Sequence, residues 1–344
     1  MSSAAEIWIY SHVMVAILLL VTGKSSIFIN FMVILAILYS LIIKQPSYDL
    51  VHYLDFLANP TEREDFGIAF VEISKALNAL TGEQAIVTYG ILILLSIFGI
   101  VRYYAELSRL NSVTVRRYIE ISTAVLMSIF FFMGSQNVLR QYTALIILGL
   151  GFVSLLGGRK MFGLLFIAVS MFIHNSMPLV ALIIVGAWFT RSLNIIQTSF
   201  VHFIFGAIFI LLLRIIMPNL EYLSSEFALG TERSGAALKS TLYLLITAST
   251  HFLLSRSVMY NEPRFKFILF LRWCVLAFAL PAVIFGYQEF YSRLVFPLFF
   301  LDLTVLIGSF LRGSDKHQRA SGALILMAYS VAPNVINVYA GSYA

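Results

Sequence analysis

Apolar residues in this chain come in long runs broken by short charged punctuation, not in the alternating or single-faced patterns of soluble elements. Charge is costly in hydrocarbon, so charge-poor stretches of about 17–25 residues read as membrane-spanning helices. They fall near 7–23, 25–43, 85–101, 118–134, 138–157, 161–176, 178–190, 195–217, 237–254, 267–286, 294–311 and 321–338, which predicts about twelve spans. The pair over 161–190 is short, so its turn is expected at or below the membrane surface. One stretch has a different period. Within the charged segment 44–84, Phe66, Phe70, Ile73, Leu77 and Leu80 recur at helical spacing. That pattern predicts an amphipathic helix lying on the membrane surface, with Asp65 as its N-terminal cap.

Composition sharpens this picture. Of 344 residues, 60% are apolar and 12% charged, and the mean hydropathy is +0.90. Soluble domains carry about 25% charged residues, so a water-soluble enzyme and a disordered tail are both excluded. One cysteine, Cys274, cannot close an internal disulfide. The net charge of +6 sits in punctuation between apolar runs and forms no basic face, which argues against a nucleic-acid partner. The fold class that follows is an all-α polytopic membrane protein forming one integral membrane domain, with no internal repeat.

Lysine and arginine placement gives the orientation. Lys24, then Arg102, Arg109, Arg116 and Arg117, then Arg159 and Lys160, Arg191, then Arg256, Arg264 and Lys266, and finally Arg312, Lys316 and Arg319 occupy alternate connections. The positive-inside rule makes these cytoplasmic. Segments 44–84, 134–137, 174–177, 218–236 and 287–293 then face the periplasm or exterior, as do both termini. The first apolar run has neither a basic flank nor a small-residue cleavage site, so it reads as a span and not as a removable signal.

Against that background the polar residues near span ends stand out, because an ionisable group in a membrane needs a partner or a watery cavity. In the outer segment 135–144, Asn137, Arg140, Gln141 and Ala144 fall at helical spacing on one face. Arg140 reads either as a snorkelling anchor or as a cation held for a ligand, and two amides on the same face favour the ligand. His174, followed by Asn175 and Ser176, lies in the turn before Pro178; it serves either packing or chemistry. Glu289 and Arg293 are spaced as an intrahelical ion pair, yet Arg293 opens a span on the side that otherwise avoids arginine. Asp49 and Tyr53 lie four residues apart in the first outer segment, and Arg214 and Arg233 lie at the other large one, 218–236. His202 and His251, inside spans, are expected to bond to neighbouring helices, and Arg272 and Asp302 to be structural partners of other helices. The six histidines show no metal-ligand spacing, and no phosphate-binding glycine loop or nucleophile elbow is present. Neither metal nor cofactor is therefore expected.

Cations gathered at one membrane surface suit a lipid-linked diphosphate, because the planar guanidinium fork donates two parallel hydrogen bonds and stays charged. The run Asn137-x-x-Arg140-Gln141, a basic turn, and His174-x-Ser176 about 35 residues later resemble the core signature of the EpsG/Wzy-type polysaccharide polymerases. An early Asp49-x-x-x-Tyr53 and a late outer arginine, Arg293, are similar to that family as well. The resemblance implies a glycosyltransferase-C-like helical bundle in the bacterial inner membrane, active on its periplasmic face. It implies polymerisation of O-antigen, capsule or exopolysaccharide units carried on undecaprenyl diphosphate. Donor and acceptor would both be lipid-linked oligosaccharides, and a chain-length regulator of the polysaccharide co-polymerase class would assist. Under it, Arg140 and Arg293 hold the diphosphate with help from Arg233 or Arg214, and His174 or Asp49 is the base. Asn137, Gln141, Tyr53, Ser176 and Glu289 position substrate.

Two other functions use similar residues. A flippase for the same lipid would place charge near the midplane and show inverted repeats; an O-antigen ligase would differ only in its acceptor. The predicted sidedness has a direct check. After Cys274→Ala, a single cysteine at Ser135 should react with an impermeant maleimide in intact cells, and one at Lys160 only after permeabilisation.

Overall fold

The computed structural model describes residues 48–60, 67–110, 139–174, 176–216 and 263–287, with isolated positions between 244 and 248 and between 291 and 295. The described residues form helices and turns, with no strand among them. In chain order the helices are α1 (Tyr48–Ala58), α2 (Ile68–Leu80), α3 (Ala85–Leu110) and α4 (Leu139–Leu156). There follow α5 (Lys160–Ile173), α6 (Met177–Thr190), α7 (Ile195–Ile216) and α8 (Pro263–Ile284). The chain divides into two compact units, Met1–Met177 and Pro178–Ala344. The predicted spans 7–23, 25–43, 118–134 and 321–338 lie outside the described residues, as do most of 237–254 and 294–311.

Where sequence and structure overlap, helix ends agree within a few residues, α3 excepted. That helix runs on from the predicted end at 101 to Leu110, because charge ends an apolar run without ending a helix. Among the described residues, two helices are long and apolar enough to cross a membrane, Leu139–Leu156 and Ile195–Ile215. They differ in surroundings: 67% of the first is buried in protein and only 22% of the second. Phe200, Phe205 and Ile215 are among the exposed residues of α7. Soluble proteins rarely leave such a continuous apolar stripe uncovered, so α7 carries the membrane signal while α4 forms the centre of its unit.

In the first unit α4 and α5 form an antiparallel hairpin closed by a tight turn. Gly158 adopts φ +82°, and the Arg159 and Gly158 N–H groups donate to the Ser154 and Leu155 carbonyls at 2.9 and 3.0 Å. This pairing stops α4 and satisfies its last carbonyls, and the left-handed residue it needs is naturally glycine. Beyond the turn the two backbones nearly touch. A Cβ on Gly151 would stand 2.9 Å from the Gly163 carbonyl oxygen, and one on Gly163 2.9 Å from the Gly151 carbonyl oxygen. Such facing small residues let helices approach closely where no hydrophobic effect drives them together.

Helix α3 packs on α4 in parallel. Ser96 Oγ lies 3.4 Å from Thr143 Oγ1, Gly99 faces Ile146, and Glu106 meets Arg159, so both chains advance together. Glu106 is buried between two cations, 2.6 Å from Arg102 Nη2 and 2.5 Å from Arg159 Nη2. A buried carboxylate is tolerated because both oxygens are paired, and it ties the end of α3 to the α4–α5 turn. At the other end of the unit, α1 and α2 pack against α3, and α2 also against α5; Phe56 stacks on Phe70 at 6.1 Å.

A helix does form over Ile68–Leu80, but its cap and its buried face differ from expectation. Its N-cap is Gly67, not Asp65, because Gly67 lies against the Phe172 and Ile173 carbonyls at the end of α5, where a side chain has no room. Phe70, Val71, Ser74 and Asn78 face protein, whereas Ile73 and Leu80 are exposed. The predicted apolar stripe is therefore split, with one edge on the protein and the other turned outward.

In the second unit α6 and α7 are joined by a reciprocal cap: Gln197 N–H donates to Asn194 Oδ1 at 2.9 Å, and Asn194 N–H to Gln197 Oε1 at 3.3 Å. His202 bonds within its own helix, its Nδ1 2.9 Å from the Thr198 carbonyl, while Nε2 rests on Gly186 of α6. The expected interhelical bond is thus replaced, because a ring nitrogen reaches the carbonyl one turn back more readily than a partner across an apolar interface. Helix α8 crosses α7 closely at Gly206 and holds the buried Arg272.

Gly163→Leu puts a branched side chain against a fixed carbonyl and should lower the Tm in detergent by at least about 2–4 °C. Met161→Leu, at an exposed position on the same helix, should leave it unchanged.

Candidate functional site

The hairpin sets the level of its polar residues. Arg140 lies eleven residues before Gly151 and His174 eleven after Gly163, so the register at the glycine contact brings both to the same height. They occupy the end of the first unit opposite Glu106 and its arginines.

Arg140 opens α4 and is half-buried. Its Nε donates to the Tyr53 hydroxyl at 3.4 Å, and its guanidinium carbon lies 5.9 Å from the centre of that ring. Tyr53, Phe56 and Leu57 are buried on one face of α1, which explains why the tyrosine is fixed enough to hold a cation. The contact engages Nε and directs the guanidinium from one edge. Helix α1 itself was hidden in what reads as a loop, although the spacing of Tyr53, Phe56 and Leu57 is the signal that reveals it. The helix ends where Pro60 approaches. Asp49 lies on α1 one turn before Tyr53.

Gln141, beside Arg140, is 6% exposed, and its Nε2 has no hydrogen-bond partner among the described residues. A buried amide donor without a partner costs about 1–3 kcal/mol, a cost that a bound acceptor removes.

His174 ends α5 in extended backbone, φ −143° and ψ 132°. Ser176 N–H donates to His174 Nδ1 at 3.1 Å, and Ser176 Oγ lies 2.8 Å from the same nitrogen. His174 O in turn accepts from Met177 N–H at 3.0 Å. The imidazole thus satisfies a donor at the start of α6, and Ser176, expected to touch substrate, is engaged with His174.

Arg214 is exposed in the last turn of α7, in the second unit, where a cation complements the helix dipole. Arg293, Arg233, Asn137 and Glu289 lie outside the described residues, as do Asp302 and His251. Among the described residues no three His, Cys, Asp or Glu side chains gather in a way that could hold a metal ion.

Searches against protein-family models, curated proteins and solved structures find no match to the chain. The site therefore stands on its own geometry. Arg140, Tyr53, Gln141 and His174 present a permanent cation, a buried amide and an imidazole at one end of a helical unit, a set suited to an oxygen-rich anion.

The Arg140–Tyr53 contact can be measured without knowing the ligand. A double-mutant cycle of Tyr53→Phe and Arg140→Met, read as thermal stability in detergent, should give a coupling of about 0.5–1.5 kcal/mol. Strictly additive effects are the outcome inconsistent with the contact.

Proposed function

We propose that this protein is a multi-pass enzyme of the bacterial inner membrane that polymerises oligosaccharide units carried on undecaprenyl diphosphate, by glycosyl transfer at the periplasmic face. The observation that carries the reading is the Arg140 guanidinium, held at Nε by Tyr53 and level with His174 at one end of the first unit. Its support from sequence is the similarity of these residues, in order and spacing, to the polysaccharide polymerases described above. About twelve spans in a glycosyltransferase-C-like bundle complete the proposal.

In that reaction the acceptor sugar hydroxyl attacks the anomeric carbon of the growing chain. The bond from that carbon to the diphosphate oxygen breaks, and the lipid diphosphate leaves with the electron pair. Arg140 stabilises the charge developing on the departing oxygens, a task that guanidinium groups can perform in place of a metal ion. Gln141 adds a neutral donor beside it. The hydroxyl proton passes to a base, for which His174 and Asp49 are the two candidates. A co-polymerase that limits chain length belongs to the same proposal.

Purified protein mixed with lipid-linked repeat units in detergent should lengthen chains. Arg140→Lys keeps the charge and loses the fork, so chain extension should fall by at least about 100-fold at unchanged protein level. An Arg140→Lys variant with wild-type ladders removes Arg140 from the mechanism, and wild-type protein that moves the lipid without extending it points to a flippase.

A further inference from the structure

We infer that Arg191, stacked on Trp188 at the α6–α7 turn, forms a binding site for the phosphate of an anionic phospholipid headgroup. The inference rests on the exposed apolar face of α7 meeting lipid and takes nothing from the glycosyl-transfer reading.

The end of α6 explains the placement. The helix stops at Thr190, whose hydroxyl donates to the Gly186 carbonyl at 2.9 Å, and Arg191 is the next residue. Residues three apart are neighbours on a helix surface, so the Arg191 side chain reaches back onto Trp188. Its guanidinium carbon lies 3.9 Å from the centre of an indole ring, which is carbon-to-carbon contact. The indole is held in turn by Phe267 of α8, which meets it edge-on with ring centres 5.6 Å apart and planes at 83°. A platform braced by a second helix thus carries an exposed arginine.

Stacking orients this cation without using its hydrogen bonds. An aromatic face attracts a guanidinium, whereas the five N–H donors lie in the guanidinium plane and point out from its edge. No described residue of the second unit is Asp or Glu, so none of them competes for these donors as a carboxylate.

The neighbours specify the kind of anion. Phe189 and Ile196, on either side of Arg191 in the chain, are 77% and 78% exposed. A free phosphate gains nothing from such side chains. A phospholipid sets its phosphate on the guanidinium fork and its acyl chains along the apolar side chains. Tryptophan beside a cation at the end of an apolar helix is also what a membrane–water interface selects. Lysine and arginine placement assigns this turn to the cytoplasmic side, where anionic headgroups attract cations.

Full-length protein in detergent, titrated with dioleoyl phosphatidylglycerol or dioleoyl phosphatidylcholine and read by native mass spectrometry, tests the site. The wild type should retain phosphatidylglycerol at least about fivefold more strongly. Arg191→Gln should remove most of that preference. Arg191→Lys keeps the charge but loses the planar fork, and should weaken phosphatidylglycerol retention at least about threefold. Lys160→Gln removes an exposed cation predicted on the same membrane side and should change nothing. Both Arg191 substitutions are at an exposed position and leave the fold intact. Wild-type preference in Arg191→Gln overturns the site. Arg191→Lys indistinguishable from wild type overturns it too, because any surface charge would then serve. Displacement of phosphatidylglycerol by glycerol phosphate at equal concentration identifies a free-anion site and overturns the lipid assignment. None of these arms reads chain extension, so they decide the inference whether or not the protein proves to be a polymerase.

Discussion

The close approach of two helix backbones at Gly151 and Gly163 governs the first unit. Each glycine has the other's carbonyl oxygen where its own side chain would stand, so the α4–α5 hairpin has one register available to it. In an apolar solvent helices gain little by hiding apolar side chains from one another, and close packing has to supply the association. From this contact the rest of the unit takes its level. Glu106 can reach Arg159 at the turn, Gly67 can seat α2 on the end of α5, and Arg140 comes to the height of His174.

Charge in this chain is scarce, and its placement shows what each charge does. At one end of the unit Glu106 is closed between Arg102 and Arg159, an arrangement in which both carboxylate oxygens are satisfied and the interaction is structural. At the opposite end Arg140 has a tyrosine ring and hydroxyl beside it. A buried amide whose nitrogen has no partner among the described residues is a poor way to stabilise a fold. It is a reasonable way to hold an anion. That contrast between the two ends supports the proposed function beyond sequence resemblance.

The apolar runs were legible because a span must exclude charge whatever it packs against. Helices α4 to α8 accordingly begin and end near their predicted limits. Signals that depend on a neighbour were not legible. The stripe Phe66, Phe70, Ile73, Leu77 and Leu80 reads as a single membrane face, yet the α2 residues turned to protein include Ser74 and Asn78, the latter 3.5 Å from Thr88 of α3. Asp65 has the chemistry of a cap, but the chain needs a residue without a side chain where α2 meets α5, and Gly67 takes the place. The short α1 was missed since eleven residues inside a charged segment resemble a loop until the helical spacing of its buried residues is noticed.

Sequence alone determined that the chain is apolar and helical, and which of its rare polar residues fall near helix ends, because those features follow from local composition and spacing. It also picked out Tyr53, Arg140, Gln141 and His174 as unusual. That Tyr53 holds Arg140 across 87 residues of sequence, that Gln141 is buried with its nitrogen unmatched among the described residues, and that Ser176 N–H donates to His174 Nδ1 were decided only by tertiary structure. The physical reason is that a hydrogen bond depends on distance and direction between groups, and these exist only once the helices have settled into register.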